Sequence, residues 1–357
     1  MDVLLVGGGH IGQKELNEME DHSEIDFTGV VDSHPGVRTT LEGKYDIQIF
    51  RDIQSALAQS NANLVRIATP PHTHAELAKP ALEDGRDVYI EKIMTTTVAE
   101  AKELLHLADE NGCEIYVRRN ALYTPIYSRG LERLDEIGDV RYVHWIEPTG
   151  SYDRWPDDKQ EWLRKLPGGI ISEHLPHALY LIRMFLGNEP DVTDVVHKGK
   201  ELYVTMATDA GQQAAISFMG TNDTPMLMRV VGSEGTLLLN HDTMQISRER
   251  SVEMDSVLKR TLEANVNQFV EHVSHVAWLG KQRVAQQAGK RLGFDWAQEY
   301  QYTDHYRQLE DIANGAVSAG RIDITGEDGL KNVQLFESIW TATTEIPDSS
   351  RRRVDLE

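Results

Sequence analysis

A glycine-rich stretch near the start of the chain has the residue types and spacing to bind a phosphate-bearing ligand. Within "VLLVGGGHIGQKEL", the pattern Gly7-x-Gly9-x-x-Gly12 follows an apolar run and precedes a helical pattern. In such a turn the first glycine allows a tight bend, the second lets the backbone approach a pyrophosphate, and the third lets helix and strand pack closely. The helix N-terminus then offers N–H groups to the phosphates. We therefore expect Gly7, Gly9, His10, Ile11 and Gly12 to bind the pyrophosphate of a dinucleotide.

An acidic residue completes this pattern. Asp32 ends the second apolar run, at the distance of about 20 residues from the last glycine that is typical of dinucleotide-binding folds. Its carboxylate can accept hydrogen bonds from both ribose hydroxyls of the adenosine, and it would repel a 2′-phosphate. The sequence therefore predicts NAD as the cofactor. NADP is the alternative, because Ser33 and Arg38 follow closely enough to bind a phosphate.

The elements that must position these residues follow from the pattern of the first 121 residues. Short apolar runs alternate there with helical stretches, as they do in βαβ units. The predicted strands are "DVLLVG", "FTGVVD", "QIF", "LVRIAT", "DVYIEK" and "EIYVRR". Such a chain predicts a doubly wound parallel sheet of the Rossmann type, with residues 1–121 as the cofactor-binding domain.

The pattern changes after residue 121. Residues 122–346 contain a helical stretch, "SEHLPHALYLIRMFLG", and several alternating runs that are typical of antiparallel strands, followed by a mostly helical region over 257–344. We expect a C-terminal α+β domain with a mostly antiparallel open sheet. Residues 347–357 are expected to form a frayed basic tail. The predicted fold class is therefore α/β for the first domain and α+β for the second.

The composition limits the possible partners. The chain has 57 acidic and 36 basic residues, a formal charge of −21, and one cysteine, Cys113. Such a surface repels nucleic acid and anionic membranes, and a single cysteine provides neither an internal disulfide nor a thiolate metal cluster. No apolar run reaches the roughly 20 residues that cross a bilayer. We expect a cytoplasmic protein, and the acidic surface indicates adaptation to a salt-rich cytoplasm or simply an acidic protein.

Two further stretches carry a family resemblance. "RIATPPHTHAELAKPALEDGRDVYIEK" and "GGIISEHLPHALYLIRMFLG" resemble the glucose-fructose oxidoreductase and inositol dehydrogenase family, often written Gfo/Idh/MocA. The likeness extends to "ALYTPIYSRGLERLDEIGDVRYV" and "DHYRQLEDIANG". It implies an NAD(P)-dependent oxidoreductase that acts on a hydroxyl of a sugar, cyclitol, sugar acid or nucleotide-sugar, with a second domain for substrate binding and oligomerisation.

The resemblance also implies site residues in the first domain. A Thr-Pro-Pro turn and a following histidine lie along the nicotinamide half of the cofactor in that family, and Thr69, Pro70 and His74 match them. The family's Glu-Lys-Pro signature is matched by Glu91 and Lys92. We therefore expect the cofactor to be contacted by Thr69, Pro70, His74 and Glu91. Lys92 is expected to reach the substrate.

The second domain supplies the remaining catalytic residues. The family's Asp-x-x-x-His motif is represented by Glu173 and His177, with His177 aligned with the usual catalytic histidine. Three positions depart from the family: Ile93 replaces the signature proline, Glu173 replaces the aspartate, and Tyr180 stands where another aspartate is common.

The chemistry also follows from the residues themselves. Oxidising an alcohol needs a base for the hydroxyl proton and a cation beside the oxygen, while hydride leaves the carbon. Lys92 ends a strand that points into the ligand crevice, and Glu173 and His177 share one helical face. Because proline favours a first turn, we expect the helix to begin near Pro176, so that its N-terminus keeps His177 neutral. We assign His177 as base, Lys92 as the group that polarises the substrate oxygen and relays protons, and Glu173 as a hydrogen-bond partner for substrate or for the lysine. His174 is the alternative working histidine.

Substrate contacts are less clearly indicated. The loop "YDRWPDDKQEW" suits a polyol, because aromatic faces pack on C–H groups and charged groups bind hydroxyls, so Arg154 and Trp155 are candidates. Arg118 and Asn120 lie at the crossing between the domains and are candidates for lining the cleft. No convincing third ligand accompanies the acid and histidine of the helix, so no metal site is predicted.

The resemblance also leaves two other functions open, and it bears on how the chain associates. Some members of the family are NAD-assisted glycosidases that oxidise transiently and release no net NADH, and others are non-catalytic NAD(P) or sugar sensors. Family members usually associate through the open face of the second sheet, and the apolar alternation in "QQAAISFMG" and "MLMRVVG" provides such a face. We therefore predict a homo-oligomer, as a dimer or tetramer.

Overall fold

The computed structural model of this protein describes residues 1–19, 24–150, 161–250, 304–316, 318–319 and 322–345. Within these residues the chain forms two large sheets and a short two-stranded ribbon. Among the described helices none is both long and apolar enough to cross a membrane. The predicted domain boundaries at 121 and 346 stay predictions.

The first sheet is parallel and lies in the N-terminal part of the chain. Its strands are β1 (Asp2–Val6), β2 (Asp26–Val31), β3 (Ile49–Phe50), β4 (Leu64–Ile67), β5 (Asp87–Ile90) and β6 (Ile115–Val117). The strand order is β3-β2-β1-β4-β5-β6, so the direction of winding reverses between β1 and β4. A reversal of this kind opens a crevice at the carboxyl ends of the strands, which is where such sheets bind their ligands.

Helices cover this sheet, and its strands are accordingly runs of buried apolar residues. The helices are α1 (His10–Met19), α2 (Pro35–Glu42), α3 (Ile53–Leu57), α4 (His74–Glu83) and α5 (Val98–Asn111). The longest of them, α5, begins at a capping box in which Thr97 and Glu100 bond each other's backbone N–H groups. It ends at Gly112, whose φ of 65° is the left-handed conformation that favours glycine.

The second sheet is mostly antiparallel, as predicted. Its strands are β7 (Val140–Pro148), β8 (Asp191–Lys198), β9 (Glu201–Ala207), β10 (Gln213–Met219), β11 (Leu227–Gly232), β12 (Gly235–Asn240) and β13 (Gln245–Arg250). The order is β13-β12-β11-β7-β10-β9-β8, and within the described strands of this sheet only the central pair of β7 with β10 is parallel. A short helix, α6 (Pro125–Glu132), leads into this sheet from the first domain.

The long helix α7 (Ile170–Leu186) packs on β7 and is buried along most of its length. Its start corrects one prediction. We expected the helix to begin near Pro176, but Pro176 lies inside it. The bend into the helix is made instead by Gly168 and Gly169, which adopt φ values of 66° and 60° and let the chain enter the helix at an earlier point.

The C-terminal part of the chain returns to the first sheet. It contains α8 (Asp304–Ala313), a ribbon of β14 (Ser318–Ala319) and β15 (Ile322–Asp323), and α9 (Gly326–Glu345). The last helix contacts α5 and β6 of the first sheet as well as α7 and β8 of the second. It is therefore wedged between the two halves of the molecule. The region predicted to be helical is so in α8 and α9, and residues 257–303 lie outside the described part.

Candidate active site

The glycine turn has the geometry that a dinucleotide requires. Gly7 has a φ of 106°, and a side chain there would clash with the carbonyl of Ala68. A Cβ on Gly12 would lie 2.0 Å from the carbonyl oxygen of Gly7, so only glycine lets α1 approach β1. Gly9 and His10 are exposed, and no described atom lies within 4 Å of a Cβ at Gly9. This open space in front of the helix N-terminus fits a pyrophosphate.

Asp32 lies at the end of β2, beside this turn. Its Oδ2 accepts a hydrogen bond from the backbone N–H of Gly8 at 2.9 Å, and its Oδ1 accepts one from His34 at 2.8 Å. The guanidinium of Arg38 donates to the backbone carbonyls of Asp32 and Ser33 at 2.9 and 2.7 Å. The carboxylate is thereby held at the glycine turn, where it can accept hydrogen bonds from an adenosine ribose.

The turn after β4 holds Thr69 and Pro70 at the same edge of the sheet, and His74 lies beneath it. We expected His74 to contact the cofactor, but its side chain is fully buried. Its Nε2 lies 2.8 Å from the carbonyl oxygen of Thr69, and its Nδ1 lies 2.9 Å from that of Ile93. Burial lowers the pKa of His74, although the carbonyl contacts oppose this. The ring therefore connects the two turns from below.

Lys92 follows β5 and reaches across to α7. Its Nζ donates to the backbone carbonyl oxygen of Glu173 at 2.7 Å and to Oε1 of the same residue at 2.5 Å. The Lys92 side chain is 10% exposed and that of Glu173 is 22% exposed. The peptide bond between Lys92 and Ile93 is cis. The structure thus brings together two of the three predicted catalytic residues, with the ammonium partly open to the crevice.

His177 lies one turn further along α7, and it is half-buried. Its Nδ1 lies 2.8 Å from the hydroxyl of Tyr180, which also accepts a hydrogen bond from the backbone N–H of Ala121 at 3.1 Å. Burial lowers the pKa of His177 well below the usual 6.5, and the charge of Lys92 lowers it further. The ring is therefore neutral at pH 7. We expected a helix N-terminus to cause this, but His177 lies within the helix, and burial is the main cause.

A second histidine on α7 has a carboxylate partner that the sequence did not indicate. Nδ1 of His174 lies 2.7 Å from Oε1 of Glu147, and the other carboxylate oxygen accepts a hydrogen bond from the indole of Trp145 at 2.8 Å. Glu147 is buried on β7. An acid at an inward-facing position of an alternating strand is the signal that could have identified this pair. The His174 ring centroid lies 6.4 Å from that of His177.

A cluster of four buried charges lies directly below Lys92. Arg66 forms a bidentate contact with Glu15 of α1 and also pairs with Glu91, while Arg118 pairs with Glu91 at 2.6 Å. Burial by itself would raise the pKa of Glu91, but the charges of Arg118 and Arg66 lower it to well below its usual range. The cluster joins α1 to the ends of β4, β5 and β6.

Two predicted site residues belong to this buried cluster. We expected Glu91 to contact the cofactor and Arg118 to line the cleft, but Glu91 is 9% exposed and Arg118 is 2% exposed. Their charges are directed at each other beneath the site. Asn120 is partly exposed at the start of a 3₁₀ turn and is still placed to line the cleft. Arg154 and Trp155 lie outside the described residues.

A further buried arginine supports Tyr180. The guanidinium of Arg119 lies over the Tyr180 ring at 5.4 Å and pairs with Asp328 of α9. Asp328 also pairs with Arg183 of α7. Burial lowers the pKa of Arg119 to about 10, and Asp328 opposes the shift. The position of Tyr180 beside His177 therefore depends on the last helix.

The arrangement can move a proton and bind an oxyanion. Lys92 offers a partly exposed ammonium, and a neutral His177 provides a base within the same crevice, at the carboxyl edge of the first sheet. In the described part of the chain, no group of three or more His, Cys, Asp or Glu side chains could hold a metal ion.

Comparisons with known proteins agree with this geometry. Residues 1–119 match the model of a family described as "Oxidoreductase family, NAD-binding Rossmann fold", GFO_IDH_MocA. Inositol 2-dehydrogenase of Rhizobium meliloti (strain 1021) is 24% identical over 213 residues, which is 60% of this chain and 62% of that protein. The match thus spans less than two thirds of that relative.

Two solved structures are similar over nearly the whole chain. GenD2 from gentamicin A biosynthesis, in complex with NAD, has a TM-score of 0.72 at 19% identity and covers 97% of this chain and 94% of its own. The WlbA dehydrogenase from Bordetella pertussis, in complex with NADH and UDP-GlcNAcA, has a TM-score of 0.68 at 18% identity and covers 96% and 95%. At these identities the likeness establishes the fold. The first 119 residues match the NAD-binding Rossmann domain of the Gfo/Idh/MocA oxidoreductases, and the fold extends the likeness to the rest of the chain.

Proposed function

We propose that this protein is an NAD-dependent dehydrogenase that oxidises a secondary alcohol of a sugar, cyclitol, sugar acid or nucleotide-sugar. The observation that carries the proposal is the contact of Lys92 with Glu173 at the carboxyl edge of the NAD-binding sheet, with His177 one turn away. A cation and a neutral base in the same crevice are the two groups that alcohol oxidation needs.

Each residue then has a defined part in the reaction. When NAD is bound, its nicotinamide accepts the hydride from the alcohol carbon. Lys92 binds the substrate oxygen and stabilises its developing negative charge, because its ammonium is fixed by Glu173. His177 accepts the hydroxyl proton, since burial and the charge of Lys92 keep its ring neutral. Glu173 orients the ammonium and provides a hydrogen-bond acceptor for a neighbouring hydroxyl.

The substrate class is supported by what related proteins bind. One relative is named inositol 2-dehydrogenase, and the WlbA structure holds UDP-GlcNAcA. Inositol and the sugar of UDP-GlcNAcA are both polyhydroxylated rings. Asn120, which is partly exposed beside the crevice, is a candidate for hydrogen bonding to such hydroxyls.

The first experiment is a titration of the purified protein with NAD and NADP in molar KCl, with fluorescence as the readout of binding. A panel of sugars, inositols, sugar acids and nucleotide-sugars is then screened for NADH absorbance. We expect NAD to bind and to be reduced by at least one class of polyol. Cofactor binding without net reduction across the panel would contradict the proposal and favour an NAD-assisted glycosidase or a sensor.

We also propose that the protein is a homo-oligomer through the open face of its second sheet. Val196 and Tyr203, which pair across β8 and β9, are 52% and 38% exposed and together place apolar surface on this face. The high acidic charge supports a salt-rich cytoplasm as the compartment. Light scattering in molar KCl tests the assembly, and a monomeric mass would contradict it.

A further inference from the structure

Lys165 and His72 form a second contact between the two halves of the site. The Nζ atom of Lys165 lies 3.4 Å from Nε2 of His72. His72 belongs to the 3₁₀ turn Pro71–Thr73 that follows β4, and Lys165 ends the 3₁₀ turn Leu163–Lys165 that precedes α7. The contact therefore joins the same edge of the first sheet to the same helix as the contact between Lys92 and Glu173.

Both partners are held in place by their own turns. The backbone N–H groups of Lys165 and Leu166 donate to the carbonyls of Trp162 and Leu163. On the other side, Thr73 next to His72 donates from its hydroxyl to the carbonyl of Pro70 at 2.8 Å. These bonds fix the backbone of both turns, and the contact with Nε2 of His72 is what positions the ammonium.

The charge of Lys165 is available to a ligand. An ammonium has three N–H donors, and His72 accepts from one of them. Lys165 is exposed, and no carboxylate in the described part of the chain forms an ion pair with it. Lys14, Lys79 and Lys331, by contrast, each pair with a glutamate. Among the described residues, Lys165 therefore carries an ammonium that contacts a neutral ring rather than a carboxylate.

The charge of the pair indicates which anion fits. Burial and the neighbouring Lys165 lower the pKa of His72, so its ring is neutral at pH 7 and the pair carries a single positive charge. A carboxylate matches this charge, whereas a phosphate monoester carries about −1.5 to −2. Because β4 and β5 are neighbours, and adjacent strands lie about 4.8 Å apart, the turn that holds His72 lies one strand from the turn that holds Lys92.

We propose that Lys165 and His72 form a subsite for a carboxylate on the substrate, so that the reacting compound is a sugar acid or another polyhydroxy acid. Lys165 donates to the carboxylate, and His72 holds the lysine in position. This inference rests on the proposed dehydrogenase function, because it identifies the crevice beside Lys92 as the place where substrate binds.

Binding to the NADH-loaded protein tests the subsite without any need for turnover. D-gluconate, D-glucuronate and D-galacturonate are titrated beside D-glucose, D-galactose and myo-inositol, with calorimetry and NADH fluorescence as readouts. We expect at least one acid to bind about 10-fold more tightly than its neutral counterpart, since a hydrogen bond to a charged group contributes about 1.5 kcal/mol or more. An acid that binds no better than the neutral compounds would overturn the proposal.

Variants distinguish the subsite from a general positive field. Lys165→Gln should lose about 10-fold in acid affinity and leave the affinities for NADH and neutral polyols within about twofold. Lys165→Arg should retain most of the acid affinity. Arg164→Gln is the matched control, because Arg164 is an exposed neighbour on the same turn and does not contact His72. Equal losses in Lys165→Gln and Arg164→Gln would contradict a specific subsite.

Two outcomes separate the subsite from the proposed function. A protein that binds acids through Lys165 but never reduces NAD keeps the subsite and contradicts the dehydrogenase. A protein that oxidises neutral polyols and is indifferent to Lys165→Gln keeps the dehydrogenase and contradicts the subsite. D-glucose 6-phosphate is added as a last ligand, and tighter binding of this compound than of every acid would overturn the choice of carboxylate.

Discussion

The cofactor end and the proton-transfer end of the site are built in different ways. At the cofactor end, Gly7, Gly12 and Asp32 act within one βαβ unit, and the requirements are met by backbone geometry. At the other end, Lys92 meets Glu173, which is 81 positions away in the chain, and the contact depends on where α7 begins. The first end is a property of a local motif, whereas the second exists only after the two sheets have docked.

This difference implies that the two ends can be separated experimentally. Substitutions at the cofactor end should change which nucleotide binds and how tightly. Substitutions at the proton-transfer end should change turnover and leave nucleotide affinity intact. The reason is that the glycine turn contains none of the residues that move the proton. Three substitutions test this separation, and a fourth tests the charge cluster beneath both ends; they are taken from the largest expected effect to the smallest.

Lys92→Met should separate the two ends most strongly. Removal of the ammonium leaves the developing alkoxide unstabilised, and we expect turnover to fall by about 10²- to 10⁴-fold. The Kd for NAD should change by less than about twofold, since Lys92 does not contact the glycine turn. Steady-state rates and NADH fluorescence give the two quantities. Lys102→Met, on the exposed face of α5, is the control, and survival of turnover in Lys92→Met would refute the role of Lys92.

Arg66→Met should weaken the fold beneath both ends. It leaves Glu15 and Glu91 as buried carboxylates that have lost a partner, which typically costs about 3–5 kcal/mol in the free energy of unfolding. Chemical denaturation monitored by circular dichroism measures this loss. A change below about 1 kcal/mol would indicate that the cluster contributes little to stability.

Asp32→Ala should act only at the cofactor end. The loss of hydrogen bonds from the ribose hydroxyls to a carboxylate should weaken NAD binding by about 10- to 100-fold, and NADP should bind as well as before or better. Separate Kd values for NAD and NADP decide the matter. Asp26→Ala, at the amino end of the same strand, provides the control. Preferential loss of NADP binding would reverse the cofactor assignment.

Tyr180→Phe should produce the smallest effect, confined to the proton-transfer end. It removes the hydroxyl that bonds Nδ1 of His177, and we expect about a 10-fold lower turnover. The pKa of His177 is lowered, so the ring gains a proton only well below pH 6.5, and the acidic limb of the wild-type rate should lie below that pH. A positioning role predicts that this limb shifts in Tyr180→Phe. An unchanged pH profile would mean that Tyr180 serves stability alone.

The sequence predicted the parallel sheet, the second sheet and the glycine turn because each follows from local patterns. Glycine spacing, apolar runs and alternation are visible in a single stretch of chain. Lys92 and Glu173 were identified as site residues through family resemblance, and the start of α7 was misplaced. A preference of proline for first turns is weaker than the bend made by Gly168 and Gly169.

Burial was the property that sequence reasoning estimated least well. His74, Glu91 and Arg118 carry polar groups and belong to, or lie near, recognised motifs, so they were assigned to the cofactor or substrate. In the structure, His74 contacts backbone carbonyls, and Glu91 and Arg118 pair with opposite charges beneath the site. Such partners come from distant strands, and no local pattern reveals them. For the pair of Glu147 and His174, the alternation of β7 marks the acid as inward-facing, but the histidine partner comes from a distant helix.

The position of α9 has a consequence for the order in which this protein becomes competent. All six strands of the first sheet lie within the first 117 residues, which leave the ribosome first, at about 5–20 residues per second. The proton-transfer end must wait, because Asp328 of α9 pairs with both Arg119 and Arg183, and Arg119 lies against the ring of Tyr180. Under the proposed function, a chain in which α9 has not yet docked therefore lacks the contacts that hold Tyr180 beside His177, even though its cofactor-binding residues are already synthesised.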